Sequence, residues 1–189
     1  MKQLTEMFTV EKVHSSPARF DMKKLEAING DKIRALTLDE FLTWTLPFLT
    51  KAGIITGTDA EVDLVKRALP IIQERIVKLD ETPALLKFLF VKDFAVDPEA
   101  VSKITDSASK DVLKRSLKEL EALTSFDHAT IEAALRAALI EDMGLKPRIA
   151  FTALRIATTG STISPPLFES MELLGQSACI SRISAAISL

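Results

Sequence analysis

Arg155 is a lone charge within Ala150-Phe151-Thr152-Ala153-Leu154-Arg155-Ile156-Ala157, an otherwise apolar and small-residue run. A guanidinium in such a run must reach solvent, pair with an acid or wait for a ligand, because leaving it buried and unpaired is costly. Directly behind it, Thr158-Thr159-Gly160-Ser161-Thr162-Ile163-Ser164-Pro165-Pro166 offers hydroxyl and backbone groups at a helix junction. An arginine fork beside such a loop suits recognition of unstacked bases, since fork and loop amides can read base edges and phosphates together. Local charge points the same way. Lys66, Arg67, Arg75, Lys78, Lys87 and Lys92 outnumber Glu74, Asp80 and Glu81 in one stretch, and Lys146, Arg148, Arg155 and Arg182 outnumber Glu169 and Glu172 in another. An ordinary solvated helix face produces the same bias, so charge alone does not decide.

Catalytic chemistry has no signature in the sequence. The six glycines are scattered singly, and Gly53 with Gly57 lacks the Lys-Ser or Lys-Thr of a phosphate loop and reads as a turn. Cys179 is the single cysteine and lies in a helical Gln-Ser-Ala-Cys-Ile pattern, which suits a buried thiol better than a nucleophile. It also excludes a disulfide framework and any multi-cysteine zinc site. His14 and His128 are the only histidines, which excludes a histidine metal cluster, and His128 reads as a solvated first-turn residue. The carboxylate pairs Glu119 with Glu121 and Glu141 with Asp142 lie on polar helix faces. These residues taken alone describe a helical binding or scaffolding region.

With 189 residues, 47% hydrophobic and 26% charged, the chain can bury a core and is not disordered. A net charge of −2 means that any nucleic-acid site is a local patch. No apolar stretch approaches the roughly 20 residues that span a bilayer, and the start Met1-Lys2-Gln3-Leu4-Thr5-Glu6 has no signal-peptide apolar region. The chain is therefore expected to be cytoplasmic and without membrane contact.

The elements that must position Arg155 are short helices, because start and stop signals divide nearly the whole chain and no convincing strand pair occurs. Thr37 with Glu40, and Thr58 with Glu61, have the spacing of capping boxes. Pro70 breaks the run that begins at Val62. Thr82 before Pro83, Asp97 before Pro98 and Ser164 before Pro165 each suggest a further helix start. Leu113, Leu117 and Leu120, then Ile131, Leu135, Ala138 and Leu139, recur at helical spacing, with Gly144 ending the second helix. Gly160 and Gly175 close two more. The expected fold is all-α, in two packed helical subdomains, with a boundary in the polar stretch between Phe94 and Ser109.

A family resemblance emerges from the same residues. Leu154-Arg155-Ile156-Ala157-Thr158-Thr159-Gly160, then Ile163-Ser164-Pro165-Pro166-Leu167-Phe168-Glu169 ahead of Leu173-Leu174-Gly175, resembles the ending of bacterial glutamyl-tRNA synthetases. Ser16-Pro17-Ala18-Arg19-Phe20-Asp21 with Lys24-Leu25 and Asn29 resembles the segment after that family's catalytic domain. Phe8-Thr9-Val10-Glu11-Lys12-Val13 matches the end of the preceding helix, and Pro83 with Phe88-Leu89-Phe90 agrees more loosely in the middle.

The resemblance implies a class I ligase that uses ATP to attach glutamate to tRNA(Glu), and places this chain behind its catalytic domain. The family's His-x-Gly-His and Lys-x-Ser-Lys signatures are absent from the sequence. The chain is then expected to lack an active site and any cofactor of its own, with ATP and magnesium belonging to the catalytic domain. Implied divisions are 1–36 as a stem-contact segment, 37–100 as a first and 101–189 as a second helical anticodon-binding subdomain. The implied anticodon-binding residues are Arg155, Ser164, Pro165 and Leu167, joined by Arg75, whose alternative is a surface ion pair with Glu74 or Asp80. Arg19 and Lys24 are candidates for contact with the tRNA backbone, a structural role being the alternative. Pro166 stands where the family commonly has glycine, which restricts the loop backbone. The implied partner is tRNA(Glu), with tRNA(Gln) left open, and the parent enzyme is expected to be a monomer. The rivals are a free-standing helical protein-interaction or regulatory module and a small enzyme of unrecognised type.

Overall fold

Capping side chains decide where most of the helices begin. The computed structural model describes residues 2–12, 20–91 and 94–189, and among these no strand is formed. After a short helix α1 (Lys2–Met7), α2 (Met22–Arg34) starts where the Asp21 carboxylate accepts the amide of Lys24. Both sequence-predicted capping boxes are present: Thr37 with Glu40 opens α3 (Leu38–Lys51), and Thr58 with Glu61 opens α4 (Asp59–Ala68). Pro70 then redirects the chain into the single turn of α5 (Pro70–Gln73). The Gln73 side chain reaches back from it to donate to the carbonyls of Ile33 and Leu36, at 3.0 and 2.9 Å.

Glu61 does more than close its box. One carboxylate oxygen accepts the amides of Thr56, Gly57 and Thr58 at 2.9 to 3.0 Å, together with both threonine hydroxyls. Donors crowded on the ionised form, the Thr58 amide first, lower its pKa from 4.5 to about 2. A carboxylate depressed in the folded state contributes stability above its unfolded pKa and loses it as pH falls through the folded one. Urea midpoints are therefore expected to drop between pH 4.5 and about 2, and Glu61→Gln to flatten that part of the profile. An unchanged profile in Glu61→Gln would contradict the assignment.

Two expected starts differ. Thr82 is not a cap but the first residue of α6 (Thr82–Leu86), and its hydroxyl donates back to the Leu79 carbonyl at 2.7 Å. Asp97 precedes α7 (Pro98–Val101) without a side-chain cap bond, while its amide donates to the Gly160 carbonyl at 2.8 Å.

In the second half, Asp106 caps α8 (Ser107–Ala122) and Asp127 caps α9 (His128–Arg136). A wider π turn at Ala137–Asp142 prolongs α9 to the left-handed Gly144, at φ +67°. The Arg115 fork pins that turn by pairing with both Glu119 and Asp142, at 2.9 and 2.7 Å. These two acids are thus engaged by Arg115 rather than simply solvated. The helices α10 (Pro147–Thr159), α11 (Leu167–Leu174) and α12 (Gln176–Ile187) complete the chain.

Apolar faces collect into two cores. Phe41, Leu49, Val65, Leu69, Ile72 and Leu86 pack around α3 and α4, while Leu113, Leu120, Ile131, Leu135, Leu154 and Ile183 form the other. Ala100 and Ile104 join the second core, and Leu173 of α11 packs against the first. No helix among the described residues is long and apolar enough to cross a membrane.

Candidate nucleic-acid interface

α10 carries Arg155 because its apolar face is used elsewhere. Ala150, Ala153, Leu154, Ile156 and Ala157 are buried in the second core, which leaves Arg155 half-buried on the flank. The helix ends at Gly160, whose φ of +84° is a left-handed conformation suited to glycine. A Cβ there would also meet the Ala95 carbonyl oxygen at 3.0 Å. The chain then turns back, so that Ser164 and Pro165, both buried, lie beside Arg155.

The Arg155 guanidinium is held by that returning loop. Its Nη1 donates to the Pro165 carbonyl at 2.8 Å, to the Ser164 carbonyl at 3.5 Å and to the Ser164 hydroxyl. From the other half of the molecule, Arg75 Nη1 donates to the same Ser164 carbonyl at 3.4 Å. Two arginines, 80 positions apart in sequence, therefore converge on one loop residue. None of the ion pairs among the described residues includes either of them. Burial first, and the neighbouring Arg75 cation second, push the Arg155 pKa below its ordinary value. Two like charges gathered on neutral carbonyls attract an anion or an electron-rich base edge.

Ser164 therefore does not start a helix, as its order before Pro165 suggested. Its hydroxyl donates to the Pro165 carbonyl at 2.9 Å while accepting from Arg155, and α11 begins three residues later. Leu167, the first residue of α11, is buried in the second core. The start of α11 is fixed on α10 by an edge-on contact of Phe168 with Phe151, ring centroids 5.2 Å apart. Lys24 lies exposed in the first turn of α2, an element that contributes nothing to the Arg155 cluster, and Arg19 lies outside the described residues. The pairing of Arg75 with Glu74 or Asp80 is not made.

Other structural features escaped sequence reasoning. Ile163 is 79% exposed beside Ser164, and a cavity of about 580 Å³ opens next to it, walled by Phe88, Phe94, Val96 and Gly160. Arg182 is buried against two carbonyls and the Phe94 ring. The criterion that singled out Arg155, a lone charge in an apolar and small-residue helix, applies equally to Arg182 and could have found it. His128 is also more than a solvated residue, since its amide and Nδ1 both engage Glu172, at 2.9 and 2.7 Å, clamping α9 to α11.

Cys179 is fully buried, and desolvation pushes its thiol up to about 12. At neutral pH it is expected to resist thiol reagents until the protein unfolds, the thiolate being the reactive form. Labelling of the native protein at the rate of a free thiol would refute this placement.

A helical recognition domain, with two arginines from different halves converging on one loop, is the class that this fold and site define. Comparison with known proteins makes the class specific: the family described as "Anticodon binding domain" matches residues 21–187, and the chain belongs to that family. It is 40% identical to the glutamate–tRNA ligase of Saccharopolyspora erythraea over 99% of this chain and 38% of that protein. It is 44% identical to the glutamate–tRNA ligase of Rhodococcus jostii over 98% of this chain and 38% of that protein. The chain thus spans 38% of the length of these two relatives. Its fold matches a glutamate tRNA ligase structure from Elizabethkingia meningosepticum with a TM-score of 0.77, at 21% identity, over 99% of this chain and 36% of that one. The glutamate–tRNA synthetase structure from Elizabethkingia anophelis gives 0.75, over 100% of this chain and 36% of that one.

Proposed function

We propose that the chain is the tRNA-reading portion of a glutamate–tRNA ligase, the enzyme that uses ATP to attach glutamate to tRNA(Glu). The observation that carries this is the convergence of Arg75 and Arg155 on the Ser164 carbonyl with no carboxylate partner among the described residues. The two helical cores act as walls that keep the anticodon loop splayed, Arg75 and Arg155 meet base edges, and Ser164, Pro165 and Leu167 shape the surface against which the bases lie. Residues 37–100 and 101–189 form the two anticodon-binding halves, and residues 1–36, with Lys24 and Arg19, face the tRNA stem. ATP and magnesium are bound, and glutamate is transferred, by a catalytic part outside this chain. The parent enzyme works in the cytoplasm as a monomer.

Binding of tRNA(Glu), tRNA(Gln) and an unrelated tRNA at two salt concentrations tests the proposal. Neutralising several phosphates releases counterions, so affinity should fall steeply and log-linearly with salt while tRNA(Glu) stays ahead of the unrelated tRNA. Equal binding to all three, or none, would defeat the reading. Salt-independent capture of a protein partner without tRNA affinity would favour an interaction module instead.

A further inference from the structure

Among the described residues, Arg182 on α12 is the one charged side chain buried in the interior. Its Nη1 donates to the Thr158 carbonyl at 2.7 Å and its Nη2 to the Phe88 carbonyl at 2.8 Å. The Phe94 ring lies beneath its guanidinium, 3.9 Å from the centroid. None of the ion pairs among the described residues includes it. Burying this cation costs desolvation, which its two carbonyl hydrogen bonds and the ring contact must offset. What the planar fork adds is geometry, because it sets two acceptors from different segments at a fixed separation.

Those segments belong to the two halves of the chain that carry the paired arginines. Thr158 lies one turn after Arg155 on α10, and Phe88 lies in the turn closing α6, on the same half of the chain as Arg75. A second clasp runs parallel, from the Asp97 amide to the Gly160 carbonyl at 2.8 Å. The crowding of Gly160 against the Ala95 carbonyl and the Phe94 ring closes the junction on its other side. We infer that Arg182 is a positioning residue that fixes the separation of Arg75 and Arg155, so that both engage one RNA loop at once. The inference rests on the reading above of that pair as RNA-contacting.

Spin labels on Glu74→Cys and Thr162→Cys, exposed positions next to Arg75 and on the loop that holds Arg155, report the separation of the two segments. Buried Cys179 does not compete for label. The distance distribution should be narrow with Arg182 present and broaden in Arg182→Lys, which keeps the charge but not the fork. Phe94→Leu, which removes only the ring, is a milder variant should Arg182→Lys fold poorly. Under conditions where far-UV circular dichroism shows the variants folded, preference for tRNA(Glu) over an unrelated tRNA should fall about tenfold, the scale of one lost base contact. The salt slope should stay unchanged. The losses from Arg75→Ala and Arg155→Ala, coupled in the parent chain, should become independent in Arg182→Lys. An unbroadened distribution in both variants, or an Arg155-dependent preference that survives Arg182→Lys intact, would overturn this inference alone. A preference indifferent to Arg155 while Arg182 is in place would overturn the RNA reading, and this inference with it.

Discussion

Arg155→Ala is expected to weaken tRNA(Glu) binding by about 10- to 100-fold, the range of one bidentate base contact worth about 1 to 3 kcal/mol. The effect is large because Arg155 is already ordered before RNA arrives. The Pro165 carbonyl at 2.8 Å and the Ser164 hydroxyl restrict the guanidinium, so less side-chain entropy is lost on binding. Its half-buried charge also has no carboxylate partner among the described residues, so an incoming acceptor displaces no ion pair there. Arg155→Lys separates two roles: a base-edge contact needs the planar fork and should be lost nearly as fully, whereas a phosphate contact should survive in part. A uniform loss across all tRNAs, with the salt slope reduced by about one, would reassign Arg155 to the backbone. Full retention of affinity would remove it from the interface.

The largest expected effect on stability belongs to Phe41→Ala, at about 3 to 5 kcal/mol. Phe41 is completely buried and packs in the first core with Leu49, Val65, Leu69, Ile72 and Leu86. Its removal loses the transfer free energy of the ring and leaves a cavity that helices fixed by two capping boxes cannot readily collapse into. Against a typical total of about 5 to 15 kcal/mol, that is a substantial fraction. The melting temperature should fall by about 6 to 20 °C in a chain of this size. Trp44, three residues along the same helix but 59% exposed, is the control, and its alanine variant should stay within about 0.5 kcal/mol of the parent. Urea unfolding of both variants checks the contrast. A loss below about 1 kcal/mol for Phe41→Ala would mean that the first core is not closely packed.

What residue order makes legible here is mostly what local chemistry controls. The boxes at Thr37 and Thr58, the breaks at Pro70 and Gly160 and the periodic leucines of α8 depend on neighbours within about one helical turn, and each is found where its spacing placed it. The local signal misleads where a distant partner engages the same residue. Ser164 has the order of a cap but is captured by Arg155, and the Asp97 amide bonds to Gly160 while its side chain caps nothing. His128 has the look of a solvated first-turn residue until Glu172, 44 positions away, is packed beside it.

The candidate site divides along the same line. The unusual character of Arg155 and of the hydroxyl-rich loop behind it is plain from composition, because a lone charge in an apolar helix is anomalous wherever that helix packs. The meeting of Arg155 with Arg75, and the clasp of Arg182 between Phe88 and Thr158, belong to the packing of the two cores. Helical periodicity repeats every few residues and holds no record of which face meets which across 80 to 100 positions. That choice is made by the summed burial of both cores, and it turns three separate arginines into one arrangement.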